Sequence, residues 1–257
     1  LPYIFLTIAV FLLGFIEDLK FRVNPNYRLI VMIFILFFFV ISFSVNIAAV
    51  DLVFLSSWMK NQIFANIFVV LCFLFIINGA NLVDGFNGLL TIHLLIINLV
   101  LLFINLNNGN EDFALIITAQ IVVLACFLLF NFPKAKIFLG DSGSYLFGSL
   151  AAFNVINTNN LNTEISSFFF CIILFYLFFE VFFSFFRKIY FRKSPLKPDS
   201  KHLHMLSYNF LDKSQKFKDC NYLNSIIINL IYLCLILPGI FFYDNGLICK
   251  YWFFSLL

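Results

Sequence analysis

The chain of 257 residues is 63% hydrophobic and only 11% charged, with a formal net charge of +3 and a mean hydropathy of +1.01. Soluble domains carry about 25% charged residues, so this composition excludes an ordinary water-soluble enzyme and implies a polytopic membrane protein in the lipid bilayer. The six cysteines are scattered without CxxC spacing, so neither a zinc site nor a disulfide framework is implied, and no Walker A or GxGxxG pattern points to ATP or a dinucleotide.

Apolar runs predict helical spans near 1–16, 29–46, 62–78, 88–105, 113–131, 145–157, 167–186 and 225–243. Strand alternation is absent, so the expected fold is all-α: a transmembrane helical bundle of about eight spans forming a single domain, 1–257. Leu1 opens on apolar residues without Met or a basic leader, so a signal peptide is not expected. Residues 251–257 begin another apolar run, and the chain reads as lacking sequence at both ends.

Between the spans lie four short polar stretches. The first carries Glu17 and Asp18, followed by Lys20, Arg22 and Arg28. Carboxylates are costly in hydrocarbon, about 2.5 to 3.5 kcal/mol for an Asp at a helix centre, so they belong at the membrane face. The second, Asn78-Gly-Ala-Asn81-Leu-Val-Asp84-Gly-Phe-Asn87-Gly88, repeats polar residues every third position, putting Asn78, Asn81 and Asp84 on one helical face. It also fits a helix C-terminus capped by Asn and Gly, although four polar side chains exceed what a cap needs.

The third stretch, Phe138-Leu-Gly140-Asp141-Ser142-Gly143-Ser144, immediately precedes a span. Asp141 or Ser142 there is an N-cap, or the Asp holds Mg²⁺ while helix N-H groups meet phosphate oxygens. The fourth lies within a hydrophilic stretch, 187–224, expected to be a basic cytoplasmic loop on anionic headgroups. Its Lys201, His202 and His204 suit an anion better than a metal, since no third ligand follows at zinc spacing.

Alternation of eight spans puts all four stretches on one side, and 14 of the 16 Lys and Arg residues fall in loops of that side. Basic residues are retained in the cytoplasm, so the site-bearing face is expected to be cytoplasmic. Glu180, two turns before Arg187 on the seventh span, is expected to pair with Ser184, Arg187 or Lys188, or to line a lipid-phosphate groove. His93 is expected to hydrogen-bond between helices and to take no part in chemistry.

The segments GFIEDLKFRVNPNYRL, NGANLVDGFNGL, FLGDSGS and PLKPDSKHLHML resemble, in the same order, those of the polyprenyl-phosphate N-acetylhexosamine-1-phosphate transferases. The resemblance implies transfer of a sugar 1-phosphate from a UDP-N-acetylhexosamine to undecaprenyl phosphate with release of UMP, dependent on Mg²⁺, at a bacterial inner membrane. It implies Asp141 and Asn81 at the metal, and Asn87 and Phe138 at the uridine. Glu17, Asp18 and Arg28 fall near the lipid phosphate, and His202 and His204 near the diphosphate and sugar. Asp84, Asn78 and Lys201 complete the expected site.

Glu17 stands where many relatives have Asp and Met205 where some have a third His, which resembles the branch that starts O-antigen and similar surface glycans. Ser200 stands where an Arg is usual, and Glu180 where an Asp near a helix end is typical. The resemblance also implies an earlier helix pair than this chain shows. The default donor is UDP-GlcNAc, a homodimer is a further expectation, and no nucleic-acid partner is expected. An anionic-solute transporter and an inactive fragment of the transferase are the alternative readings.

Overall fold

The computed structural model describes residues 1–19, 24–192, 194, 201–215 and 218–257. Lys20, Arg22, Lys193, Lys197, Asp199, Ser200 and Lys216, which the sequence reading placed in the site-bearing loops, lie outside the described residues. Among the described residues the structure is all-helical: α1 (Pro2–Asp18), α2 (Pro25–Ser42), α3 (Val53–Trp58), α4 (Gln62–Val83), α5 (Leu89–Asn107), α6 (Glu111–Asn131), α7 (Gly140–Leu161), α8 (Ser167–Ile173), α9 (Phe175–Tyr190), α10 (Leu203–Lys213), α11 (Cys220–Phe241) and α12 (Gly246–Leu256).

Each of the eight expected spans falls on a helix or, for 167–186, on a helix pair, but among the described residues five helices are long and apolar enough to cross a bilayer, α2, α4, α5, α6 and α11. The count becomes six if α8 and α9 form one span bent by 73°. Of the remaining two, α1 is apolar but only 17 residues long, whereas α7, with its Ser, Thr and Asn side chains, is wrapped by its neighbours. The stretch expected as a loop, 187–224, is more ordered than that: α9 runs on to Tyr190, α10 occupies its middle, and α11 begins at Cys220.

The helix α7 is the centre of the bundle, packed against α1, α4 and α5, and nearly every residue from Ser142 to Ile156 is buried. Lipid tails are as apolar as Leu, so such packing depends on close van der Waals contact and internal hydrogen bonds more than on exclusion of water. Small residues supply the closeness. A side chain on Gly14 of α1 would begin 2.5 Å from the Asp141 carbonyl carbon, and one on Gly79 of α4 would begin on the Leu177 carbonyl of α9.

Hydrogen bonds supply the rest. Asn154 of α7 donates to Asn98 of α5 at 3.0 Å and to Gln120 of α6 at 2.7 Å, and accepts from Tyr3 of α1 at 2.8 Å. Where α8 breaks into α9 at Leu174, the Tyr232 hydroxyl of α11 donates to the Ile173 carbonyl at 2.6 Å, satisfying a group that a continuous helix would have paired. His93, expected to bond between helices, makes no hydrogen bond of full geometry at either ring nitrogen, although Asn229 of α11 lies within reach of it, and its ring centroid packs 3.9 Å from that of Tyr232.

The contact at Gly14 yields a direct test. Gly14→Ala should destabilise the detergent-solubilised protein by about 1–3 kcal/mol, read as a lower thermal midpoint, because the backbone it meets has no rotamer with which to move aside.

Candidate functional site

The site starts at the end of α1. The Asp18 carboxylate reaches the N-terminus of α7, accepting from the backbone N-H of Asp141 at 2.9 Å, the N-H of Ser142 at 2.9 Å and the Ser142 hydroxyl at 2.5 Å. It is an N-cap supplied by a residue more than a hundred positions away, and it neutralises the positive end of the α7 dipole. Gly140 makes room: at φ +66 it adopts the left-handed conformation, and any side chain there would begin 2.7 Å from an Asp18 oxygen. The N-H groups expected to meet a phosphate are therefore taken by Asp18.

With the helix end fixed, Asp141 faces α4, where Asn81 donates to its Oδ1 at 2.5 Å and to the Ser144 hydroxyl at 3.1 Å. On its other side Glu17 lies within hydrogen-bonding reach of the Asp141 carboxyl. Arg28 at the start of α2 donates to Glu17 at 2.7 Å and sits over the Tyr145 ring. Asp84, just past the end of α4, completes the cluster: its carboxyl is pushed up to about 7 by burial and then by the negative charges of Asp141 and Asp18. Asn78 turns away, bonding back to the Leu74 carbonyl at 2.7 Å.

The turn from Asp84 to Gly88 joins this acid cluster to two others. On one side, His204 lies beside Gly85, its Nε2 and Cδ2 both 3.6 Å from where a side chain would start. His202 and His204 are both buried, their rings parallel and 5.5 Å apart. Glu180 binds them: Oε2 lies 2.9 Å from His202 Nδ1, and Oε1 lies 3.3 Å from His204 Nδ1 while accepting the Leu203 N-H at 3.0 Å. The expected partners Ser184, Arg187 and Lys188 are thus superseded by the histidine loop. Arg187 donates to the Lys201 carbonyl, and Lys201 is exposed with its Nζ over the Phe191 ring.

On the other side, Asn87 donates to the Pro133 carbonyl at 2.9 Å, and its N-H goes to Asn221 of α11 at 2.8 Å. Asn131, at the end of α6, accepts from the Gly88 N-H and donates to the Ile137 carbonyl. These bonds lay the segment bearing Phe138, 73% exposed, alongside the Asp84 turn. Asn131, Asn221 and Asn224, which holds the His204 carbonyl at 2.9 Å, were missed by sequence reasoning. Their signal was present only as an Asn at the end of an otherwise apolar run.

Among the described residues no set of three His, Cys, Asp or Glu side chains is arranged to cage a metal. The donor set suits a hard cation of another kind: mutually repelling carboxylates, one of them pushed up to about 7 by burial and then by its neighbours' charge, gathered where helices end. A cation that keeps water and takes one or two carboxylates plus substrate phosphates needs no more.

Fold and site together define a multi-pass membrane protein with an acid-rich site where several helices end. The chain belongs to glycosyl transferase family 4, whose model matches residues 1–159, the part holding Asp18, Arg28, Asn81, Asp84 and Asp141. It is 30% identical over 235 residues to the undecaprenyl-phosphate alpha-N-acetylglucosaminyl 1-phosphate transferase of Thermotoga maritima, covering 84% of this chain and 71% of that protein. A phospho-N-acetylmuramoyl-pentapeptide-transferase of Dictyoglomus turgidum is 32% identical over 162 residues, 59% of this chain and 50% of that one. The corresponding enzyme of Leuconostoc mesenteroides is 47% identical over 72 residues, 28% of this chain and 22% of that one.

Asp84 gives the site a pH signature. Its folded carboxyl keeps a proton to about pH 7 while the unfolded one loses it near the usual carboxylate value, so its stabilising contribution is full below about pH 4 and is lost as pH rises to 7. In a chelator-containing buffer the thermal midpoint should fall across that window, and Asp84→Asn should flatten the slope.

Proposed function

We propose that this protein transfers an N-acetylhexosamine 1-phosphate, N-acetylglucosamine 1-phosphate in the first instance, from a UDP-sugar to undecaprenyl phosphate. UMP is released, and the site faces the cytoplasm from a bacterial inner membrane, at the first membrane step of a surface glycan such as O-antigen. The observation that carries the reading is the meeting of Asp141, Asn81, Asp84 and the Glu17–Arg28 pair around the capped end of α7. The Thermotoga maritima relative, an undecaprenyl-phosphate alpha-N-acetylglucosaminyl 1-phosphate transferase, supports the acceptor and the sugar phosphate, and the UDP donor is part of the proposal.

In this reading an oxygen of the lipid phosphate attacks the phosphorus bonded to the sugar. The bond from that phosphorus to the oxygen shared with the nucleotide phosphate breaks, and UMP leaves with the electron pair. A phosphate monoester has its second pKa near 6 and is largely ionised at neutral pH, so no strong base is required. Asp18 is suited to orienting, since both its oxygens already accept hydrogen bonds. The difficulty is repulsion between two anions, and positioned charge is the remedy. Mg²⁺, held by Asp141 and Asn81 together with substrate phosphates, would neutralise the diphosphate. Asn87 and Phe138 line the side on which a uridine fits, and His202, His204 and Lys201 the side of the sugar and diphosphate.

Solute transport is the rival, favoured by the broken α8–α9 pair. Transporters gather their polar groups near the midplane, whereas these carboxylates stand at helix ends. Membranes containing the protein, supplied with undecaprenyl phosphate, Mg²⁺ and radiolabelled UDP-N-acetylhexosamines, should form labelled lipid. Solute uptake in vesicles without labelled lipid would overturn the reading.

Asp141→Asn should lower the rate by about 10²- to 10³-fold or more, whereas Asp18→Asn, which keeps one of the two oxygens that cap α7, should retain measurable transfer that rises with pH. Mg²⁺ should raise the thermal midpoint of the native protein near neutral pH and leave that of Asp141→Asn unmoved.

A further inference from the structure

Glu180 is the one carboxylate among the described residues that takes hold of both site histidines. It is 2% exposed, and its two oxygens meet three groups of a single tripeptide: His202 Nδ1, the Leu203 N-H and His204 Nδ1. An ionised carboxylate only accepts hydrogen bonds, so a nitrogen that bonds to it must carry a proton. His202 is thereby assigned the Nδ1-H tautomer; His204 Nδ1, 3.3 Å from Glu180 Oε1 and 3.4 Å from the Tyr176 hydroxyl, takes the same tautomer when Tyr176, also within reach of Glu180, gives its hydroxyl proton to the carboxylate, and both Nε2 atoms lie on the edges turned away from Glu180. For His204 that edge faces Gly85, next to Asp84.

Other groups close in around His204. The Tyr176 hydroxyl lies 3.4 Å from His204 Nδ1, Asn224 fixes the His204 carbonyl, and Phe86 packs against the His204 ring at 5.8 Å. Glu180 sits on α9, just past the break that turns this helix by 73° from α8, so its direction into the histidine loop is set by the bundle. An ion pair needs one partner. A carboxylate buried to this degree and shared by two parallel rings does more: it fixes which nitrogen each ring presents.

We propose that Glu180 is a positioning residue for the transfer reaction, holding His202 and His204 as Nδ1-H tautomers so that both present Nε2 towards the sugar diphosphate. The proposal rests on the transferase reading for its substrate, but the tautomers themselves do not. A neutral ring in this state offers Nε2 as an acceptor for a sugar hydroxyl, and on protonation, with Glu180 stabilising the cation, offers Nε2-H to a phosphate oxygen. Replacing the carboxylate by an amide keeps the shape but presents one NH₂ group, which the facing imidazole can meet only by moving its proton to Nε2. The comparable change in other carboxylate–histidine pairs leaves geometry intact and lowers the rate through the wrong tautomer.

The test uses the full chain in detergent, labelled with ¹⁵N-histidine; there are three histidines, and His93→Phe identifies the third signal. At about pH 8.5, roughly two units above the ordinary imidazole value, the native protein should show His202 and His204 as Nδ1-H. Glu180→Gln should convert at least one of them to Nε2-H, and Glu180→Asp should keep both. In the transfer assay Glu180→Gln should lose at least about tenfold in kcat, with a smaller change in KM for the UDP-sugar, and Glu180→Asp should recover part of the loss. Native rings in the Nε2-H form, or unchanged tautomers in Glu180→Gln, would overturn the assignment. Swapped tautomers with an unchanged rate would overturn the positioning role. Native protein without any transfer would count against the transferase reading alone, and the tautomers would still decide this one.

Discussion

Everything at the site depends on one cap. The Asp18 carboxylate, at the last residue of α1, supplies the hydrogen bonds that the first turn of α7 cannot make for itself. Charge-assisted bonds of this kind are about twice as strong as neutral ones, and they gain further where little water competes. The cap forces the end of α1 and the start of α7 to one level, with Gly14 and Gly140 allowing the approach. Asp141 is thereby held at a helix end, within reach of Asn81 and Asp84, instead of being drawn into the bundle.

The second dependence is the turn from Asp84 to Gly88, which three separate elements grip. Asn221 and Asn131 take its backbone N-H groups, Asn87 reaches the segment before α7, and His204 closes over Gly85. The acid cluster, the histidine loop and the Phe138 segment are consequently parts of one surface. Deeper in the bundle the same residue type joins helices, where Asn98, Asn105 and Asn154 bond to one another's helices and tie α5, α6 and α7 together. Asn is thus both the adhesive of the bundle and the frame of the site.

Much of this was legible beforehand, and the boundary is physical. Apolar runs located the helices because a span of lipid demands an unbroken apolar stretch. The polar stretches pointed to Asp18, Asn81, Asp84 and Asp141 because charge in such a chain is costly away from helix ends. The use made of those residues was less legible. That Asp18 would take the α7 N-H groups, or that Glu180 would choose the histidines over Arg187 and Lys188, depends on contacts between distant segments. No local period records them. The helix α10 was hidden because its short apolar run, Leu203 to Leu211, lies between basic segments, and the place of the His93 ring between Tyr176 and Tyr232 depends on two helices distant in the chain. The α8–α9 bend likewise lies within a continuous apolar run.

The central claim is that the turns carrying these residues share one side of the membrane. Single cysteines at Leu19, Gly85, Phe138 and Lys201, all exposed, and at Asn108 at the far end of α5, provide the test when introduced into a chain freed of its native cysteines. A membrane-impermeant maleimide applied to right-side-out and inverted vesicles should label the first four from one side and Asn108→Cys from the other. Any of the four labelling together with Asn108→Cys would contradict the account.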